Sequence, residues 1–419
     1  MKLGQFIGAV MMVVGSAVGG GMLALPLVAY SAGFVWSVIL LFGMFVMMLY
    51  TGLLTLEMNL TLPAVNSSHS SMAAKVFGKT GQMIVWVDYI LLLLSMLVAY
   101  ITGESDIIIH FVAKNFHITL TPHVSQLVFA LGLGSLVFFS VNAVDYCNRF
   151  LASLKGFFLA AFLVLAVPSI NVKSLISFHQ GFLGQAKYLL LATPTFLCVF
   201  CYHFVIPSLR LIVGDNPRDL RKVLVVSNLV ALGIYAWWLA VAFGVVPLRG
   251  ATGYIQLVRE HGLSAGQMTQ NIIHAVNCSW FAAAMNAFTN ITLTTAFLGA
   301  TLSMFHFLAD GLKLPNTMLG RFKTIVIALG APLLVAFYFP EGFVLMMNWS
   351  AVFTVLLCIT FPALMVYRHR KLEAPQYGAY RVAGGNGWLI FTIVLSFMFI
   401  VVTVAYLTGV IPLQPVGRV

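Results

Sequence analysis

The chain has 419 residues, of which 61% are hydrophobic and 8% charged, with mean hydropathy +1.00 and a formal net charge of +11. These proportions exclude a water-soluble globular protein and imply an integral membrane protein. No loop interleaves basic residues with aromatics, so the charge reads as a topology signal and a response to anionic lipid, not as a nucleic-acid footprint.

Apolar runs of about 18 or more residues mark helices that can cross a bilayer. They fall near 6–30, 33–58, 83–111, 124–141, 149–168, 188–212, 223–247, 272–309, 324–339, 343–366 and 387–411. The count is eleven, and the eighth run is long enough to hide a second short helix. Each run exceeds the ~10-residue alternating strand of an outer-membrane barrel, so the expected class is an all-α membrane protein. The run after Met1 and Lys2 is longer than a signal-peptide core and leads straight into a second span, so it is a retained helix. With the N-terminus cytoplasmic, 15 lysines and arginines fall on the inner side and 6 on the outer, Arg418 among them, with Lys155 set aside as intramembrane. That bias predicts a cytoplasmic N-terminus and, after eleven spans, a C-terminus on the opposite side of the membrane.

The first span is interrupted at its centre by Gly15-Ser16-Ala17-Val18-Gly19-Gly20-Gly21. Unwound backbone at membrane depth is tolerated only where protein buries it or a cavity is lined by it. The sixth span is interrupted too, with Pro194, then Cys198-Val199-Phe200-Cys201-Tyr202-His203-Phe204, then Pro207. Two broken helices five spans apart predict an inverted five-plus-five repeat: repeat one at about 6–168, repeat two at about 188–366, and an extra helix at about 387–411. Amides opening a half-helix attract a carboxylate, and carbonyls closing one attract an ammonium, so the pair suits a zwitterion such as an amino acid.

Lys155 falls about 10 Å inside span five by helical rise. Intramembrane charge marks a functional candidate, the other reading being that the lysine snorkels to the interface. His203, at the second break, is read as either a proton relay and substrate ligand or a residue that holds unwound backbone together. Glu104 and Asp106 fall in the outer half of span three and read as interface carboxylates before proton carriers. Asp88 and Glu57 read as partners of cytoplasmic basic residues. The hydroxyls of Thr292, Thr294, Thr295 and Ser303 suit sodium ligands or bonds to their own helix. Tyr100, Phe200, Tyr202 and Phe204 are nominated as an aromatic side-chain pocket.

The five cysteines form no disulfide framework, and the lone pair Cys198 and Cys201 is not a metal motif. No nucleophile or metal constellation of an enzyme, no channel filter and no cofactor site is found.

The segment Gly15 to Pro26 resembles the first-span motif of the aromatic and hydroxy amino acid permeases, within the amino acid–polyamine–organocation superfamily. Further similarities run in order along the whole chain: Asn148-Arg149-Phe150 with Lys155; Tyr202-His203 with Pro207-Ser208; Phe297-Leu298-Gly299; Leu308-Ala309-Asp310; Phe339-Pro340; and Tyr380-Arg381-Val382 with Gly384-Gly385. The resemblance implies an eleven-span proton-driven symporter of the bacterial inner membrane. It also implies that a span-five lysine stands in for sodium on span-one carbonyls. Three departures are visible: Cys201 and Phe204 are bulkier than the small residues usual there, His306 replaces an acid, and Glu104 stands where a small residue is expected.

The resulting expectation is proton symport of an aromatic amino acid, tyrosine first, with tryptophan, another neutral amino acid or sodium coupling as alternatives. Substrate contacts are assigned to Ser16, Gly19, Gly20, Gly21, Tyr100, Cys198, Phe200, Cys201, Tyr202 and Phe204. Proton coupling is assigned to Lys155, His203 and Glu104. The partners are the amino acid, the proton and the lipid bilayer; an oligomeric state is not specified.

Overall fold

The computed structural model describes residues 1–139, 141–176, 181–250, 253–315, 317–372 and 380–411, which form helices and no strands. Ser140, within the expected fourth span, and Arg418 lie outside the described residues. Among the described residues ten helices are long and apolar enough to cross a membrane, and a bent pair taken as one span brings the number to eleven.

Span one is that pair, Leu3–Ala17 and Gly21–Ala29, bent by 53°. The remaining spans are two, Phe34–Asn59; three, His69–Phe116; four, Pro122–Phe139; and five, Val141–Leu165. Span six comprises Leu189–Cys198 and Ile206–Val213; spans seven, eight and nine are Pro217–Val245, Ser279–Gly311 and Met318–Tyr338. Span ten runs from Phe343 through a π-helical turn, Leu356–Thr360, to Leu372, and span eleven is Gly385–Leu407. The long eighth run divides: Ala265–Val276 is a separate helix that Asn277 ends in the left-handed conformation (φ 48°) before span eight begins. Span three carries a break of its own at Gly78 (φ 67°), which no L side chain adopts cheaply.

Span five packs on span eight, and span three packs on both eight and ten. The first half of span one lies on span seven, the first half of span six on spans two and ten, and the two broken spans on each other. Between helices in lipid there is little hydrophobic drive, so close contact depends on small residues that let backbones and rings approach. Gly52 leaves room for the Tyr202 ring, since a Cβ there would stand 2.1 Å from its hydroxyl oxygen; Gly103 does the same for Phe343 and Gly134 for Leu329.

One face of span seven fastens the whole of span one. Ser227 Oγ reaches Val10 O (3.4 Å), Tyr235 donates to Ala17 O (2.7 Å), Trp238 Nε1–H to Met22 O (2.9 Å), and Tyr30 of span one returns to Ala242 O (2.6 Å). At one end of the bundle, buried Glu57 receives two bonds from Arg370 (2.7 and 2.6 Å) and one from Val382 N–H (2.7 Å). Glu57 thus has the basic partner expected of it.

Candidate functional site at the two helix breaks

The first break is built from glycine. Val18 leaves helical geometry (ψ 81°), and Gly20 fits against Leu293 and Tyr100, where an added Cβ would meet their atoms at 2.7 and 2.9 Å. Gly21 is equally confined, against Met347 and Val199. The second half-helix therefore begins with buried glycine amides that have no preceding turn to accept them.

The carbonyls closing the first half-helix are held from two sides. The Lys155 ammonium donates to Val18 O (2.8 Å) and Gly15 O (3.2 Å), and the residue is 6% exposed. This excludes the snorkelling alternative, because the head group lies at the break and not at an interface. The third carbonyl, Ala17 O, accepts from Tyr235.

The Tyr235 hydroxyl also stands 2.7 Å from Val199 O, at the end of the first half of span six. A hydroxyl carries one proton, so the two carbonyls share a single donor. Around it, Phe200 meets the Tyr235 ring edge-on (centroids 5.2 Å apart), and Tyr100 lies against Gly20 of the first break. Tyr235 was not among the residues expected from sequence. Its signal was present only as the spacing of Ser227, Tyr235, Trp238 and Ala242 on one helical face, a pattern that most packed helices also show.

The second break runs through Val199 to Tyr202, a short 3-10 turn at His203–Val205, and Pro207 near the start of the next half-helix. Cys198 O and Phe200 O are engaged by the N–H groups of Cys201 and Tyr202. His203 is fully buried, with Nε2 3.0 Å from Thr51 Oγ1 of span two and Nδ1 without a partner among the described residues.

Several nominated side chains do not meet at one site. Cys198 Sγ lies on span ten, 3.4 Å from Met347 O and 3.2 Å from Ser350 Oγ, and Cys201 Sγ lies 3.5 Å from Cys358 Sγ. Only their backbones are available at the break, because the thiols point away from span one. Tyr202 donates to Met48 O of span two (3.1 Å), and Phe204 is 37% exposed, outside the buried cluster. Of the four nominated rings, Tyr100 and Phe200 lie at the breaks beside Gly20 and Tyr235, whereas Tyr202 turns to span two and Phe204 to the surface. Ser16 donates to Val13 O within its own helix (2.8 Å), and Gly19 N–H returns to Ala17 O (2.8 Å).

Glu104 sits one turn beyond Tyr100 on span three, 3% exposed, with Oε2 unpartnered among the described residues. Asp106, by contrast, accepts from Ser264 Oγ and Gly266 N–H (both 2.8 Å) and anchors the helix Ala265–Val276. On span eight, Thr295 and Ser303 bond carbonyls of their own helix, whereas Thr292 Oγ1 has no partner among the described residues. A cavity lined by Tyr30, Phe34, Lys173, Phe243 and Arg249 lies at the far ends of spans one and seven, away from the breaks.

Comparison with known proteins gives the family. Residues 2–404 match the tryptophan/tyrosine permease family. The chain is 28% identical to the tryptophan-specific transport protein of Pseudomonas aeruginosa, over 94% of this chain and 92% of that protein. It is 27% identical to the tyrosine-specific transport system 1 of Haemophilus influenzae, over 98% and 99%. The low affinity tryptophan permease of Escherichia coli is 28% identical, over 93% and 92%. These relatives are permeases and not enzymes.

Proposed function

We propose that this chain, which belongs to the tryptophan/tyrosine permease family, imports an aromatic amino acid by proton symport and alternating access, tyrosine before tryptophan. Its relatives are named for transport of tryptophan and of tyrosine, which supports the substrate class. The bacterial inner membrane is the proposed location, with a cytoplasmic N-terminus and a periplasmic C-terminus.

One observation carries the coupling: the Lys155 ammonium on the carbonyls of Gly15 and Val18. A fixed cation there does for the broken helix what a bound sodium ion would do, and it can be discharged by loss of a proton. The amides of Gly20 and Gly21 at the start of the second half-helix are proposed to take the substrate carboxylate. The ammonium is proposed to compete with the Tyr235 hydroxyl for Val199 O, with the ring resting among Tyr100, Phe200 and Tyr235. Packing pairs that recur five spans apart, five on eight and ten on three, favour the repeat reading of 6–168 and 188–366 with an extra helix at 387–411.

The test is uptake of labelled tyrosine into proteoliposomes under an imposed inward proton gradient, without sodium, with unlabelled tryptophan, serine and threonine as competitors. Gradient-driven accumulation blocked best by tyrosine is expected. A requirement for sodium overturns the coupling, and stronger competition by tryptophan reverses the substrate order.

A further inference from the structure

The sequence led Asp88 to be read as the partner of a cytoplasmic basic residue, and the structure contradicts this. Asp88 is 4% exposed, and among the described residues neither carboxyl oxygen has a hydrogen-bond partner or a counter-ion. It lies ten residues past the Gly78 break, about 15 Å of helical rise into span three. Tyr100, at the candidate substrate site, is another twelve residues, about 18 Å, beyond it. A charge held there without donor or counter-charge is the costliest state of a membrane carboxyl, whereas the neutral acid is tolerated.

The surroundings are unlike an ordinary helix contact. Span ten turns Ser350, Thr354 and Cys358, one per turn, toward span six, where Cys198 and Cys201 meet them. Cys358 falls in the π-helical turn, a distortion that occurs often at functional sites. Span three, which carries Asp88, packs along span ten and against this π-helical turn.

Other titratable groups on the packed elements face elsewhere. Tyr89 meets the Phe307 ring of span eight edge-on (centroids 4.9 Å apart), and His306 and Asp310 of that span are exposed. In span four His123 lies on Phe337 O, and in span nine Arg321 bonds the carbonyls of Val137 and Phe138. At the end of span ten, Arg368 covers the Phe77 ring and Arg370 holds Glu57.

We propose that Asp88 is a proton-binding site of the transport cycle, on the cytoplasmic side of the substrate site and separate from Lys155. Its carboxylate takes one proton, forming an O–H bond, and gives it up to the cytoplasm when the inner side of the bundle opens. This rests on the proton-symport reading and on a cytoplasmic N-terminus.

The test compares wild type, Asp88→Asn and Asp88→Glu in proteoliposomes, measuring gradient-driven tyrosine accumulation and tyrosine counterflow at equal pH. Asp88→Asn is expected to lower accumulation about tenfold or more while counterflow continues, a split that structural damage does not produce. Accumulation equal to wild type overturns the site. Absence of any proton-gradient response in wild type instead overturns the symport reading itself, and the two failures are thereby told apart. Should Asp88→Asn not purify as a folded protein, Asp88→Glu decides. A moved pH midpoint of uptake supports the site, and an unmoved one overturns it.

Discussion

The Lys155 ammonium stands 2.8 Å from the carbonyl oxygen of Val18, joining the middle of span five to the end of the first half of span one. A second bond, to Gly15 O, makes the contact two-pronged. Three carbonyls that a continuous helix would satisfy internally are thus served by side chains from spans five and seven. The bend of span one is therefore braced by one amine of span five and one hydroxyl of span seven.

Lys155→Ala should abolish gradient-driven accumulation of substrate, by about tenfold or more, while tyrosine exchange survives. The check is proteoliposome uptake with and without an imposed proton gradient. Undiminished accumulation would move coupling to His203, Glu104 or Asp88.

Tyr235→Phe keeps the ring beside Phe200 but removes the one donor shared by Ala17 O and Val199 O. Leaving buried carbonyls short of a donor costs about 1–3 kcal/mol. The expected outcome is a lower melting temperature in detergent and a changed apparent KM for tyrosine. Unchanged values of both would remove Tyr235 from the site.

Gly52→Ala places a methyl 2.1 Å from the Tyr202 hydroxyl oxygen, inside a contact that cannot open without moving span two or the ring. Overpacking of this kind costs about 1–3 kcal/mol. Thermal unfolding should show the loss. Gly43, with nothing within 4 Å of its Cβ position, supplies the control, and Gly43→Ala should be nearly neutral.

Glu57 and Arg370 are each 5% exposed at the side chain and are held by two mutual bonds. Removing one partner strands the other charge, at a cost of about 3–5 kcal/mol. Glu57→Ala or Arg370→Ala should therefore lower thermal stability more than replacing both residues with leucine. Equal losses would show that the pair contributes by packing alone.

Much of this architecture was legible before any coordinates. Four glycines between Gly15 and Gly21, and the prolines Pro194 and Pro207, located both breaks, since hydrocarbon makes an interrupted helix rare and therefore informative. Lys155 could be singled out because a lone charge in an apolar run has few tolerable uses. What the run of residues around the second break concealed was direction. Cys198 and Cys201 turn to span ten, Tyr202 to span two and Phe204 to the surface, because once the helix unwinds no period of 3.6 governs where side chains point.

The sequence by itself determined the class, the eleven spans and the two interruptions, because these follow from local composition measured against bilayer thickness and backbone hydrogen bonding. Only the tertiary structure decided which groups meet there. Lys155 reaches Gly15 across 140 residues of chain and Tyr235 reaches Ala17 across 218, whereas Asp88 meets no counter-charge among the described residues. Such pairings depend on how helices are rotated against one another, and rotation is set by packing between segments far apart in the chain.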